Sequence, residues 1–165
     1  MLRESDRTLL ATAYSRASAR VPAERSRVQA ISQLADTAMN LFDGDMKTSW
    51  ICRNEVTGPQ WVTIELPAAK RIDRITISQS YQQPEYATEG YRIEGSLDGY
   101  TFETLAQGSL PAQSGASRMH EIDKPARFIR IVALSIHPNT AYSSPALSEV
   151  EIIADGKSIR EWLRQ

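Results

Sequence analysis

Hydrophobic and polar residues alternate with a period of two along several segments of the chain. In "QWVTIEL", Val62, Ile64 and Leu66 fall on one face of an extended strand. The opposite face carries Trp61, Thr63 and Glu65. "LSEVEIIAD" repeats the pattern, with Val150 and Ile152 on one side. Because successive side chains of a strand point to opposite faces, this alternation predicts half-buried β-strands.

Three other segments have strand-like composition. "RIDRITIS" is rich in β-branched residues, and "ARFIRIVAL" is a mixed run that is buried on at least one face. "YRIEGSLDGYTFETLA" predicts two strands around "LDGY", since Asp-Gly is a strong hairpin signal. The strands recur every 10 to 20 residues, and no helix-length apolar pattern interrupts them. The predicted fold class is therefore all-β, an antiparallel sandwich or barrel rather than a parallel α/β sheet.

The two ends of the chain differ from this pattern. Residues 1–26 are rich in Arg, Ser and Ala, and we interpret them as a linker or short helix that Pro22 would end. Their apolar residues have loose helical spacing, at Leu2, Leu9, Leu10, Ala13, Tyr14 and Ala17. A basic amphipathic membrane helix is the alternative, which the thin apolar face disfavours. Residues 27–156 form the predicted β-domain, and residues 157–165 a tail with a possible short helix, with Ile159, Trp162 and Leu163 on one side.

Composition limits the classes of protein to which the chain can belong. Its 165 residues, 41% hydrophobic and 24% charged, suit one soluble domain with its own core. The net charge of −1 favours neither nucleic acid nor an anionic membrane as partner, and no apolar run approaches the roughly 18 residues of a membrane span. The charged N-terminus does not resemble a signal peptide. Cys52 is the only cysteine, so an internal disulfide is excluded and a core position is expected.

Catalytic chemistry finds little support in the sequence. His120 lies in a strand-like stretch and His137 in a loop, and although a Ser-His-Asp triad stays arithmetically possible, no nucleophile elbow is present. Two histidines and one cysteine far apart match no zinc spacing, and the eight glycines form no phosphate loop. Carboxylates are plentiful, but nothing singles out a glycosidase pair. We therefore do not expect an enzyme.

The most concentrated set of polar residues is "NLFDGDMKTSW", residues 40–50. Asp43, Gly44 and Asp45 form an acidic turn, and Thr48 adds a hydroxyl nearby. The order does not match the EF-hand loop, whose twelfth position is a glutamate. Two interpretations stay open. Spacing alone favours a solvated Asp-Gly turn, whereas an irregular loop of hard oxygen ligands would suit calcium.

Five segments occur in an order that is typical of one family. They are "VQAISQLADTAMNLFDGDMKTSW", "PQWVTIELPAAKRIDRITIS", "EGYRIEGSLDGYTFETLAQG", "KPARFIRIVAL" and "ALSEVEIIADG". In this order they resemble the coagulation factor V/VIII type C, or discoidin, domain, and especially the bacterial branch grouped with family 32 carbohydrate-binding modules. The likeness spans Arg27 to Gly156, most of the chain.

The resemblance implies a jelly-roll sandwich of about eight strands that binds ligands through loops at one end and has no catalysis of its own. It also implies a structural calcium ion, held by the carboxylates of Asp43 and Glu149. Further oxygens would come from the backbone carbonyls of Asn40, Asp45 and Ser148 and from the carbonyl or hydroxyl of Thr48. Trp50 would pack into the core beneath this loop rather than stack on a sugar.

The family's binding loops correspond to residues 53–60, 79–90 and 135–145. Sugar recognition needs aromatic faces and planar polar groups. The candidates are Arg53, Glu55, Tyr81, Tyr86, His137, Asn139 and Tyr142. For each tyrosine, packing of its own loop is an equal alternative. Galactose-binding members often place a histidine where this chain has Gln60 or Trp61, and an arginine at Ser78 to Ser80, so the chain departs from the usual galactose site.

The sequence thus predicts a non-catalytic glycan-binding module of a larger secreted or cell-surface bacterial protein. The expected partners are a glycan or polysaccharide and other domains of the same polypeptide, not nucleic acid. A membrane ligand is disfavoured, because the candidate loops contain no Leu-Phe or Trp-Trp pair. The alternative is a protein-interaction or spacer domain without a glycan ligand. Arg127 and Arg130 are interpreted as structural charges of a strand rather than as an anion site.

Overall fold

The alternating segments form strands in the structure, a computed structural model that describes residues 28–30, 37–52, 59–80, 87–138 and 144–163. The predicted linker or helix of residues 1–26 lies outside these ranges. The strands are β1 (Val28–Ala30), β2 (Trp50–Ile51), β3 (Gln60–Gln79), β4 (Gly90–Ser96), β5 (Glu103–Ser109), β6 (Ser117–Ala133), β7 (Ala146–Ala154) and β8 (Lys157–Ser158). A 3-10 helix (Thr37–Phe42) precedes β2, and helix α1 (Arg160–Leu163) follows β8. Neither of these two helices has the length and apolar character to cross a bilayer.

The two longest strands, β3 and β6, pair with each other on both sides of a break. The register of this antiparallel pairing shifts between Glu65 and Lys70. Pro67 lies in the break, where its missing N–H costs no ladder hydrogen bond. The sequence predicted separate strands before and after this proline. The structure joins them into one strand of 20 residues that bends without ending.

The break divides the strands into two layers. In the first layer, the first half of β3 lies between β1 and the second half of β6, and β4 and β5 extend the sheet. In the second layer, the second half of β3 lies between the first half of β6 and β7, which also pairs with β2 and β8. The pairs are antiparallel throughout. The predicted antiparallel β-sandwich is therefore confirmed.

The core between the layers is mainly aliphatic. Its fully or almost fully buried strand residues include Val62, Ile64, Leu66, Ile75, Ile77, Ile129, Ile131, Val150 and Ile152. Trp50 and Cys52 are also fully buried, as the sequence indicated, and Ile159 brings the C-terminal segment into the same core. Each such side chain stabilises the fold by roughly 1.5–3 kcal/mol relative to an exposed position.

The predicted Asp-Gly hairpin joins β4 to β5 and projects from the end of the sheet. Asp98 Oδ1 accepts the N–H groups of Tyr100 and Thr101, each at 2.8 Å. The N–H of Thr101, followed by that of Tyr100, lowers the pKa of Asp98 to about 2. Gly99 has φ +81°, as a tight hairpin turn requires. Tyr100 extends into solvent with 90% of its surface exposed.

An arginine covers the outer face of the first layer. The guanidinium of Arg130 lies 4.8 Å from the ring centroid of Trp61 and 3.6 Å from that of Phe102. Its Nη1 lies 3.4 Å from Glu94 Oε2, and its Nε donates to Thr63 Oγ1 at 3.3 Å. Alternation predicted an outward position for Thr63, and the arginine explains why this residue is nevertheless fully buried. Arg130 therefore packs and pairs as a structural charge.

Replacing Arg130 by methionine tests how much its contacts with Trp61 and Phe102 stabilise the fold. We expect Arg130→Met to lower the free energy of unfolding by about 2 kcal/mol, because two cation–π contacts and a charged hydrogen bond are lost together. The matched control is Arg127→Met on the same strand, whose side chain is 41% exposed against 24% for Arg130. Arg127 pairs with Glu65 and lies near one ring only, 5.5 Å from the centroid of Phe128, and its loss should cost about 1 kcal/mol or less. Equal losses in urea unfolding would contradict the role of stacking.

Candidate functional site

The acidic loop after the 3-10 helix is closed by its own hydrogen bonds. Asp43 Oδ1 accepts the N–H of Asp45 at 2.7 Å, and its Oδ2 accepts the Thr48 hydroxyl at 2.7 Å. The same hydroxyl lies 2.9 Å from the carbonyl oxygen of Asp45. The carboxylate of Asp45 accepts the N–H of Lys47 at 2.9 Å and so shapes the turn. Oxygens of three residues are thereby gathered within one turn.

Strand β7 contacts this loop from the far end of the sequence. Glu149 Oε1 accepts the N–H of Gly44 at 2.7 Å, across a separation of 105 residues. At this point β7 has one residue more than β3, because Ser78 pairs with Glu149 while the next residue of β3 pairs with Leu147. The extra residue, Ser148, makes a β-bulge, which bends a strand and re-aims its side chains. The bulge thus sets the direction of Glu149.

Carboxyl groups are crowded around Glu149, whose side chain is only 6% exposed. Burial, and next the hydrogen-bonded carboxyl of Asp43, raises the pKa of Glu149 to about 8, although Arg160 and the N–H of Gly44 act in the opposite direction. Arg160 Nη2 lies 2.5 Å from Glu149 Oε2, and its Nη1 lies 2.5 Å from Glu151 Oε2. A neighbouring negative charge disfavours ionisation of a buried carboxyl group, and a cation close to it favours ionisation.

Buried serines lie beneath the acidic loop. The hydroxyl of Ser49 is 3.1 Å from that of Ser148 and 3.3 Å from that of Ser80. The carbonyl of Ser49 accepts the side-chain amide of Asn40 at 3.0 Å. All three serines are buried. They connect the loop to β7 and to the end of β3, and they bring Asn40 and Ser148 to the same place.

The three predicted binding loops emerge from one end of the sandwich. They follow β2, follow β3 and precede β7, and the N–H of Cys52 donates to the carbonyl of Pro145 at 3.1 Å, which joins the first loop to the third. Six of the seven candidate ligand residues lie outside the described residues: Arg53, Glu55, Tyr81, Tyr86, Asn139 and Tyr142. The seventh, His137, is partly buried and donates from Nε2 to the Leu110 carbonyl at 2.6 Å.

A buried glutamine connects the bases of these loops. Gln79 Nε2 donates to the carbonyls of Thr88 at 2.6 Å and Pro111 at 3.0 Å. Its Oε1 accepts the N–H groups of Ser80 at 3.0 Å and Thr88 at 3.1 Å. The hydroxyl of Thr88 bonds to the carbonyl of Ala146 at 2.8 Å. The fully buried amide thus makes four hydrogen bonds, and with Thr88 it forms a rigid base for the loops.

The family assignment follows from a comparison of the whole sequence. A model of the F5/8 type C domain family matches residues 24–147, well over half of the chain. The chain belongs to the F5/8 type C domain family. No curated protein sequence matches the chain.

Solved structures share this F5/8 type C fold. A family 32 carbohydrate-binding module from a family 31 glycoside hydrolase of Clostridium perfringens has a TM-score of 0.68 and 19% identity, covering 91% of this chain and 94% of that one. CpGH89CBM32-5 from the same organism, in complex with GalNAc-β-1,3-galactose, has a TM-score of 0.66 and 21% identity, covering 76% and 92%. The family 32 module of AlyQ, in complex with 4,5-unsaturated mannuronic acid, has a TM-score of 0.63 and 24% identity, covering 76% and 92%.

Two positions distinguish this F5/8 type C domain from the galactose-binding pattern expected of the family. The first position is Gln60, which is only 2% exposed, or Trp61, which is half-buried and packs against the guanidinium of Arg130. At the second position, Ser78, Gln79 and Ser80 are all buried, and Gln79 belongs to the base of the loops. This chain therefore has neither the histidine nor the arginine of the galactose pattern at these positions. The departure noted in the sequence therefore coincides with buried structural positions.

The predicted calcium ligands of the F5/8 type C domain come together, and the structure adds residues that the sequence did not single out. Bonds within the loop and from β7 connect the predicted set, Asn40, Asp43, Asp45, Thr48, Ser148 and Glu149. In the described part of the chain, no three His, Cys, Asp or Glu side chains form a metal-binding group. A site here would therefore depend on hydroxyl and carbonyl oxygens as well. Ser49 and Arg160 complete the surroundings, and no spacing pattern connects either with residue 43.

Removing the Gln79 side chain tests the rigid base of the loops. We expect Gln79→Ala to lower the free energy of unfolding by about 2 kcal/mol or more, because buried backbone groups lose their hydrogen-bond partner. Gln107→Ala, at an exposed position of β5, is the matched control and should change it by about 0.5 kcal/mol or less. Urea unfolding measures both. If the two variants lose similar free energies of unfolding, water must replace the hydrogen bonds of the Gln79 amide, and the rigid base would be contradicted.

Proposed function

We propose that this F5/8 type C domain is a non-catalytic glycan-binding module of a larger secreted or cell-surface protein. The observation that carries the proposal is the family match, together with the shared fold of modules whose structures contain GalNAc-β-1,3-galactose or 4,5-unsaturated mannuronic acid. One of the similar modules comes from a glycoside hydrolase, which supports other domains of the same polypeptide as partners.

The described scaffold supports this role in a specific way. Binding loops need a rigid support if weak contacts to sugar hydroxyls are to add up, because each mobile side chain loses entropy on binding. Gln79 and Thr88 supply such a support with buried hydrogen bonds that join the loop bases. The candidate tyrosines, Tyr81, Tyr86 and Tyr142, belong to the loops that start from this base.

Two positions of this chain differ from the galactose-binding pattern, and they limit the type of sugar that we propose. Gln60 or Trp61 stands where the galactose pattern has a histidine, and the buried residues Ser78 to Ser80 stand where it has an arginine. We therefore propose a glycan recognised through Arg53, Glu55 and Asn139, with tyrosine faces against the ring. Planar guanidinium, carboxylate and amide groups can bond two neighbouring hydroxyls or a sugar carboxylate.

Glycan binding is tested by alanine substitution of the loop tyrosines. We expect an array that contains neutral and uronic-acid glycans to show binding, and we expect Tyr81→Ala, Tyr86→Ala or Tyr142→Ala to weaken it about tenfold or more, since loss of a stacking aromatic costs roughly 1–2 kcal/mol. Tyr100→Ala is the matched control, because this exposed tyrosine lies on the hairpin at the other end of the seven-residue strand β4. Binding that no loop variant changes, or an array without binding, would favour a protein-interaction or spacer domain.

We also propose that the acidic loop and Glu149 hold a structural calcium ion. The residues fit this ion in two respects. Glu149 bonds to the N–H of Gly44, next to Asp43, which brings its carboxyl group to the loop, and the other oxygens are the hydroxyl and carbonyl groups that calcium accepts. Asn40, Asp45, Thr48 and Ser148 would supply those neutral oxygens. The ion would offset the carboxylate charges and tie the loop to β7.

Calcium should raise the melting temperature, because it binds the native state alone. At a concentration about 100-fold above the Kd, the gain is about 2.7 kcal/mol, or about 5–10 °C at this chain length. Glu149→Gln should remove most of that shift, whereas Glu121→Gln, an exposed substitution on β6, should keep it. Differential scanning calorimetry with calcium or with a chelator measures the effect. An unchanged midpoint in the unaltered protein would refute the calcium site.

A further inference from the structure

The C-terminal helix places a fixed positive charge at the acidic loop. Arg160 lies at the start of α1, and its N–H bonds to the hydroxyl of Ser158 at 3.3 Å. The side chain is only 25% exposed. Its guanidinium also passes the loop backbone, since a Cβ at Gly44 would lie 3.7 Å from Arg160 Nε. The arginine is therefore held between the loop and β7.

The guanidinium of Arg160 contacts a carboxylate oxygen of Glu149 that a calcium ion would need as a ligand. It contacts Glu149 Oε2 and Glu151 Oε2, each at 2.5 Å. The two glutamates lie two residues apart on β7 and so share one face of the strand. On the loop side, Glu149 Oε1 accepts the N–H of Gly44, the residue that follows Asp43. Arg160 and an ion between Asp43 and Glu149 would thus draw on the same buried carboxylate.

We propose that Arg160 is a built-in competitor of calcium, which lowers the calcium affinity of the acidic loop by binding the carboxyl group of Glu149 when the ion is absent. The proposal rests on the calcium site proposed above. Like charges close to one carboxylate repel each other, so calcium must weaken the contact of Arg160 or be weakened by it. Calcium binding and the packing of the C-terminal segment against β7 are then linked. Because linkage is reciprocal, each weakens the other by the same factor.

The competition predicts opposite effects of Arg160→Gln on stability and on calcium affinity. In chelator, the variant should melt several degrees below the unaltered protein, because Glu149 loses its internal cation. Its calcium Kd, measured by isothermal titration calorimetry, should be about tenfold lower, equivalent to about 1.4 kcal/mol. Its melting deficit should accordingly shrink or vanish in saturating calcium.

Two control variants show whether the change in calcium affinity comes from the position of the Arg160 charge rather than from net charge or from the shape of the side chain. Arg71→Gln removes the same charge from a side chain that is 62% exposed and paired with Asp123, and its calcium affinity should stay within about twofold of the unaltered value. Arg160→Lys keeps a cation beside the glutamates and should bind calcium less tightly than Arg160→Gln.

Each other outcome counts against the proposal. A weaker calcium affinity in Arg160→Gln would show that the arginine supports Glu149 rather than competes for it, and an unchanged affinity would show that the two cations are independent. A variant that stays unfolded in saturating calcium would also overturn it, since calcium should replace the arginine. Absence of calcium binding from both proteins would refute the calcium site itself. The one exception is calcium binding by the variant alone, which would support the competition in its strongest form.

Discussion

The rest of the structure depends on the pairing of β3 with β6 through both layers of the sandwich. Each strand contributes to both sheets, with a register break between Glu65 and Lys70. If the register slipped by one residue, alternation would turn the buried isoleucines of β3 outward in both layers at once. The same pairing places the two ends of β3 beside binding loops. A single long pair of strands therefore fixes the core and the positions of the loops together.

A second constraint is the network of buried polar contacts at the end of the sandwich where the predicted binding loops begin. Ser80 is the connecting residue, because its N–H bonds to Gln79 Oε1 and its hydroxyl lies 3.3 Å from that of Ser49. One buried chain of hydrogen bonds thus runs from the acidic loop to the base of the ligand loops. Buried polar groups are costly when they lose partners, so such a network favours one arrangement of the loops.

The sequence predicted the fold well because its main signals are local. Alternation at residues 60–66 and the Asp-Gly turn after β4 depend only on neighbouring residues, and both are confirmed. The strand-like segments on the two sides of Pro67 were interpreted separately, whereas the structure joins them, since a strand can continue through an unpaired proline. Thr63 was predicted to face outward, and its burial depends on Arg130, which is 67 residues away. Local patterns cannot show such a contact.

The candidate sites were harder to predict because they consist of contacts between distant segments. Asp43 was visible in the acidic turn, but the opposing position of Glu149 came from family resemblance, and its direction depends on a bulge that no composition signal marks. Arg160 and Gln79 look like ordinary residues of a tail and a strand. Their roles come from what surrounds them: two glutamate carboxyl groups beside the arginine, and four backbone groups that bond to the amide.

The calcium site and the glycan loops proposed above would have different physical tasks. Structural ions work best where ligands from distant segments are drawn together, since binding then opposes unfolding most strongly. Sugar sites work best on loops whose bases are already fixed, because weak contacts cannot also supply the free energy to order a loop. In this chain the acidic loop joins residues 105 positions apart, whereas Gln79 orders the loop bases with no ligand at all. If the loops bind the proposed glycan, the free energy of binding then need not also fix the residues at the loop bases.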